Sequence, residues 1–170
     1  MKQFRKYKIH KSVELFNPII YTVVDDKDSL VFRIDGQEAH CMDEGECVFL
    51  NSDFSRAGSV EGYFNNDGFL TQCGYNVNIN NEHFDVEQRH SIIVDKFFVL
   101  GTQIEMHVLA WRFFWIYDGE KTIAKGSKSL LKFPAEYTIK TYSDNYSVSL
   151  YMGVVISALA YFSRKEDIHN

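Results

Sequence analysis

The chain has 170 residues, 45% of them hydrophobic and 15% aromatic, with 24% charged and only 2 prolines. This length suits one domain with one core, and this balance excludes a disordered, collagen-like or disulfide-scaffold chain. The net charge of −5 is uneven: five of the 18 bases and none of the 23 acids lie in residues 1–11, so the body is acidic and unsuited to nucleic acid.

The basic start, Lys2, Arg5, Lys6, Lys8 and Lys11, reads as a first strand. It could touch anionic lipid, where each surface base contributes about 1 kcal/mol. The plainer reading, and the favoured one, is an edge strand whose lysines discourage pairing with another chain. No apolar run follows it, so it does not read as a secretory signal. Ile19 to Val24 reads as a strand, Asp25-Asp26-Lys27-Asp28 as an acidic turn, and Leu30 to Ile34 as the partner strand. Asp35-Gly36 is the next turn signal. Cys47 to Leu50 and Ser59 to Phe64 read as strands, and Asn66-Asp67-Gly68 turns the chain into Phe69 to Cys73.

Tyr75, Val77 and Ile79 alternate with Asn76, Asn78 and Asn80, an apolar face inward and an amide face outward. His83 to Gln88 alternates again, Ser91 to Leu100 is apolar, and Ile104, Met106 and Val108 alternate with Glu105 and His107. Trp111 to Tyr117 is dense in aromatics and stops at Asp118-Gly119. Thr122 to Lys125 returns, and Tyr137 to Tyr142 is the last strand. About a dozen short strands at this spacing imply a sandwich or barrel.

The C-terminal run breaks the pattern. Val148 to Phe162 is apolar all round, and a helix of that kind is either buried or spans a membrane. Asp144 or Asn145 can cap its start, and Arg164-Lys165 suit the dipole at its end. This stretch rises about 22 Å, against a hydrocarbon core of roughly 30 Å. The expectation is a buried central helix over about 147–163, with small residues Gly153, Ser157 and Ala158 where strand side chains pack close.

Several stretches carry a family resemblance. Trp111-Arg112-Phe113-Phe114-Trp115-Ile116-Tyr117-Asp118-Gly119 followed by Ile123-Ala124-Lys125-Gly126-Ser127-Lys128 resembles a repeated element made of an aromatic strand, an Asp-Gly turn and a strand ending in Ser-Lys. Tyr137-Thr138-Ile139 and Leu150 to Phe162 resemble the closing strand and central helix of the same group, and Tyr21 to Gly36 its opening hairpin. The chain resembles the Tubby C-terminal-like superfamily: LURP-one-related proteins, their small bacterial relatives and the phospholipid scramblases. That resemblance implies a mainly β fold, a closed antiparallel barrel of about twelve strands around a buried C-terminal helix, as one domain over residues 1–170. It also implies a binding or scaffold domain that contacts anionic phospholipid, phosphoinositide or a protein partner. No family basic pocket can be placed residue by residue. Asp144 is the only acid between Tyr137 and Arg164, which leaves too few oxygens for a scramblase-like calcium segment. This favours the small LURP-one-like branch. The alternative is a scramblase-like protein whose last helix enters the bilayer.

The remaining chemistry is sparse. Cys41, Cys47 and Cys73 are odd in number and irregular in spacing, which suits a reducing cytoplasm. Cys41 and Cys47 with His40 lack the second pair that a zinc site needs. His83, Asp85 and Glu87 share one strand face near His90, either as a metal or acid–base face or as the wet side of a barrel strand. No nucleophile elbow, phosphate loop or dinucleotide fingerprint occurs, so no enzyme and no cofactor is expected. Trp111, Phe113, Trp115 and Tyr117 share a face opposite Phe114 and Ile116. One face meets the helix, and the other is either an exposed surface for a partner or for self-association, or covered by a loop.

Overall fold

The computed structural model describes residues 2–12, 19–36, 45–67, 70–89 and 92–169, with side chains described outside 64–72 and 163–169. Twelve strands follow one another: β1 (Arg5–Lys11), β2 (Ile19–Val24), β3 (Leu30–Asp35), β4 (Glu46–Leu50), β5 (Arg56–Asp67), β6 (Leu70–Ile79), β7 (Glu82–Arg89), β8 (Val94–Val99), β9 (Ile104–Leu109), β10 (Phe113–Asp118), β11 (Lys121–Lys128) and β12 (Glu136–Thr141). One helix, α1 (Val148–His169), ends the chain. Each strand pairs antiparallel with its sequence neighbours, and β1 pairs with β12, so the sheet closes into a barrel. Closure leaves no free sheet edge. The lysines of β1 therefore do not guard an edge, because β1 is paired on both sides.

Period-2 alternation dictates which residues line the interior. Tyr7 and Ile9, Phe32 and Ile34, Val77 and Ile79, Met106 and Val108, and Phe114 and Ile116 are all buried. Their alternates face outward. The interior is then filled by α1, whose residues Tyr151 to Phe162 are buried without interruption. A helix with no polar face needs burial on every side, and the barrel interior supplies it. Gly153 allows the closest approach: a methyl there would lie 2.7 Å from Val77 Cγ1 and 2.8 Å from Phe84 Cζ. The one hydroxyl at the helix centre, Ser157, donates to the Gly153 carbonyl at 2.7 Å, so its burial leaves no unmet donor. Near the other end of the buried stretch, Phe97 meets Tyr161 and Phe162 edge-on at 5.5 and 5.9 Å.

Several expectations need correction. The helix runs to His169, six residues past the expected 163, because the charged residues after Phe162 still favour helix. Its N-cap is Ser147, whose Oγ accepts the Leu150 N–H at 3.1 Å, and not Asp144 or Asn145. Phe69 lies outside the described residues, and Leu70–Ile79 is one continuous strand. Asn80 is not a strand residue. It and Asn81 have φ of +51° and +64°, the left-handed pair of a tight hairpin. Trp111 is not on β10 either. Ala110 and Trp111 form a second such hairpin, with φ of +53° and +56° and Arg112 N–H donating to the Leu109 carbonyl at 3.1 Å.

Candidate functional site

The expected basic strand separates into four places. Lys2 is exposed ahead of β1. Arg5 shares the inward alternation of Tyr7 and Ile9 but sits at the barrel mouth, where hydrogen bonding to Tyr7 raises its pKa further above the ordinary arginine value. Lys11 is exposed at the opposite end of the strand, its N–H donating to the Ala135 carbonyl at 3.0 Å. Only Lys6 and Lys8 lie on the outer wall. Lys8 is engaged: its Nζ is 3.0 Å from Asp28 Oδ1, and each group stabilises the charged form of the other.

Lys6 has a different setting. It stands directly opposite Lys140 of β12, and Lys140 stands directly opposite Lys125 of β11. All three flank buried inward neighbours and point outward. Side chains directly opposed across antiparallel strands have Cβ atoms roughly 5 Å apart, and like charges so placed repel. Among the described residues none of the three has an ion-pair partner. The same register carries the row onward. Lys125 is opposite Trp115, Trp115 opposite His107, and His107 opposite Lys96. His107 is held by Glu105 at 2.8 Å and packs on the Tyr117 ring at 4.9 Å. The result is a band of three abreast lysines with an amphipathic indole beside it.

The expected aromatic stripe divides. Phe114 and Ile116 are inside, and Phe113, Trp115 and Tyr117 are outside. Phe113 is exposed, with the Arg112 guanidinium 4.7 Å over its ring. Trp115 is half-buried in the lysine row. Trp111 leaves the stripe: from its turn it lies against Phe162 with ring centroids 5.4 Å apart, so it closes the core rather than presenting a surface.

His83, Asp85 and Glu87 do share the outer face of β7, with His83 exposed and the two acids half-buried. Glu87 pairs with Arg89 at 3.0 Å. The Tyr63 ring lies across Gly74 towards both acids, and burial together with their charge pushes its phenol up. Among the described residues no three His, Cys, Asp or Glu side chains come together as a metal site. His90, His40 and Cys41 lie outside the described residues.

At the barrel mouth where α1 begins, a polar cavity of about 230 Å³ lies between Arg5, Tyr7, Ser143, Asp144, Tyr146 and Tyr151. Arg5 there is engaged by Tyr7, with Asp26 and Asp144 acting on it at longer range, and Tyr146 donates to Asp118. Ser147, at its edge, is held by Glu82 at 2.7 Å. Ser147 caps α1 there, Ser143 Oγ accepts the Asn145 N–H at 3.2 Å, and the Tyr151 hydroxyl donates to the Ser143 carbonyl at 3.3 Å. No helix among the described residues is long and apolar enough to cross a membrane.

The lysine row could not be found from the strand sequences one at a time. Its members are residues 6, 125 and 140: the β11–β12 register opposes Lys125 and Lys140, and barrel closure of β1 on β12 adds Lys6. Comparison with family models, with curated proteins and with solved structures finds no match for this chain.

Proposed function

We propose that this chain is a non-enzymatic binding domain of the Tubby C-terminal-like kind, peripheral to membranes, which docks on anionic phospholipid through the Lys6–Lys140–Lys125 row. One observation carries this reading: three lysines stand abreast with no acid between them on an otherwise acidic body. Such a row is costly in the free protein and is relieved by an anionic surface. Each lysine contributes about 1 kcal/mol near such a surface. Trp115 beside the row suits the headgroup boundary, where indole rings are favoured. The anionic cytoplasmic leaflet is the natural partner.

The proposed kinship rests on the aromatic, Asp-Gly and Ser-Lys element together with a closed twelve-strand barrel around one C-terminal helix. Insertion of α1 into the bilayer is disfavoured, because it would strip the barrel of its filling, from Tyr151 to Phe162. Flotation with phosphatidylcholine vesicles, with and without phosphatidylserine, tests the reading. Binding only where phosphatidylserine is present, lost on Lys125→Glu with Lys140→Glu, is the expected result. Equal flotation with both vesicle types contradicts it.

A further inference from the structure

One end of the barrel is apolar in a way that folding does not explain. In the β11–β12 loop Leu130, Leu131 and Phe133 are 66%, 98% and 94% exposed, and in the β7–β8 loop Ile92 and Ile93 are 103% and 77% exposed. Leu109 and Phe113, flanking the β9–β10 turn, are also exposed. Chain direction puts these three connections at the same end, because all of them join an odd strand to the next even one. The register makes them neighbours. Val94, just after Ile93, is opposite Leu109, and Leu109 is opposite Phe113. Phe113 is opposite Ser127, and Lys128 N–H donates to the Arg112 carbonyl at 2.8 Å. Scattered exposed apolar residues are ordinary, but seven on three adjoining connections of one rim are a patch.

Among the described residues of these three connections the unpaired charge is positive. Arg112 and Lys128 lie over the Phe113 and Tyr137 rings, and Lys11 is tied to the loop through Ala135. The acid of the β11–β12 hairpin, Glu136, is buried and closed by Lys132 at 2.9 Å and His10 at 3.1 Å. Asp95, at the start of β8, is half-buried and engaged in its own interaction. Leu131, Phe133 and Ile92 stand out as separate projecting side chains. A rigid protein partner would need a pocket for each, whereas acyl chains yield to all of them.

The geometry points to a membrane-inserting rim: Ile92, Ile93, Leu131 and Phe133 enter the headgroup–acyl boundary of an anionic bilayer while Arg112, Lys128 and Lys11 meet the phosphates. Amphipathic elements with apolar residues beside bases bind interfaces in this manner. The inference rests on the anionic-membrane reading above and adds a depth to it. On the outer wall, Lys125 and Trp115 lie two residues from Ser127 and Phe113, so the lysine row and the rim adjoin across β10 and β11.

The test uses the full chain with the double substitution Leu131→Ser and Phe133→Ser. Both positions are exposed, so the melt should be unchanged. Partition onto vesicles containing phosphatidylserine should fall by roughly tenfold or more. In parallel, a Leu131→Trp variant should show new tryptophan emission quenched by lipids brominated on the acyl chains. Wild-type binding that survives the double substitution, with no quenching at 131, overturns the inserting rim and leaves the lysine row standing. A wild type that binds no vesicle at all overturns both. A dimer that becomes a monomer on the double substitution, with partition unaltered, makes the rim a self-association surface and also overturns the inference.

Discussion

The ring of Phe114 occupies the place where a side chain at Gly126 would stand. The two residues are directly opposite on β10 and β11, and a methyl on Gly126 would lie 1.9 Å from Phe114 Cζ. The pair is thus one packing unit on the inner wall, and the Ser-Lys element of β11 needs its glycine for this steric reason. Gly126→Ala should destabilise by about 1–3 kcal/mol through overpacking. Phe114→Ala should cost about 3–5 kcal/mol. Because the glycine's methyl would find room once the ring is gone, the double variant should cost less than the sum. Urea denaturation of the three variants measures the coupling, and strict additivity would contradict the contact.

Ser147 holds the first turn of α1 by accepting the Leu150 N–H, while its own hydroxyl donates to Glu82 at 2.7 Å. Ser147→Ala should cost about 0.5–2 kcal/mol. Ser147→Asp, ordinarily an equal cap, should do worse than serine here, because its carboxylate would face Glu82. Thermal melts of the two variants decide the matter. An aspartate variant as stable as wild type would show that Glu82 is not engaged.

Tyr146 donates to Asp118, and that bond with burial pushes its phenol up to about 12. The neutral phenol is the form favoured by folding. Its contribution is therefore complete below the ordinary tyrosine value near 10 and is lost as pH rises through about 12. Spectrophotometric titration of Tyr146→Phe should lose one late-ionising tyrosine relative to wild type, leaving Tyr63 and Tyr151, whose phenols burial also pushes up. The variant's stability should decline less steeply between pH 10 and 12. Identical alkaline limbs for the two proteins would contradict the hydrogen bond.

The fold was largely legible, since alternation and turn chemistry are local. Tyr75, Val77 and Ile79 against Asn76 and Asn78 give a strand with a defined inside. The all-apolar run from Val148 to Phe162 can only be enclosed or membrane-embedded. Turns at Asp25–Asp28 and Asp118-Gly119 are legible from residue type, and Asp28 and Gly119 both take φ of +58°. Asn80-Asn81 take left-handed φ values that asparagine tolerates, but the Asn76-Asn78-Asn80 alternation masks the turn, and Ala110-Trp111 take such values without any residue-type signal. Without such a signal the sequence continues Trp111 into the strand, and its contact with Phe162 is a tertiary cause that no local pattern reports.

The candidate site was legible only in part. A basic first strand was visible, but Lys2, Arg5, Lys6, Lys8 and Lys11 are treated differently by the barrel. Asp28 engages Lys8, the mouth takes Arg5, and only Lys6 joins the row. Lys125 and Lys140 carry no sequence signal, because each is one lysine on an alternating strand. Their placement beside Lys6 is a consequence of β1 closing on β12. The apolar rim carries no sequence signal for a related reason. Leu130, Leu131 and Phe133 lie in a connection between strands, and only exposure distinguishes them from core residues.

The most direct measurement of the central claim is the partition coefficient onto phosphatidylserine vesicles as Lys6, Lys125 and Lys140 are changed to glutamine one, two and three at a time. At about 1 kcal/mol per lysine, each step should lower partition roughly fivefold at low salt, and the differences should shrink as salt rises. Lys8→Gln should have a smaller effect, since Asp28 already neutralises it. A triple variant that binds as tightly as wild type, or a Lys8 variant as weak as the triple, would contradict the lysine row as the docking surface.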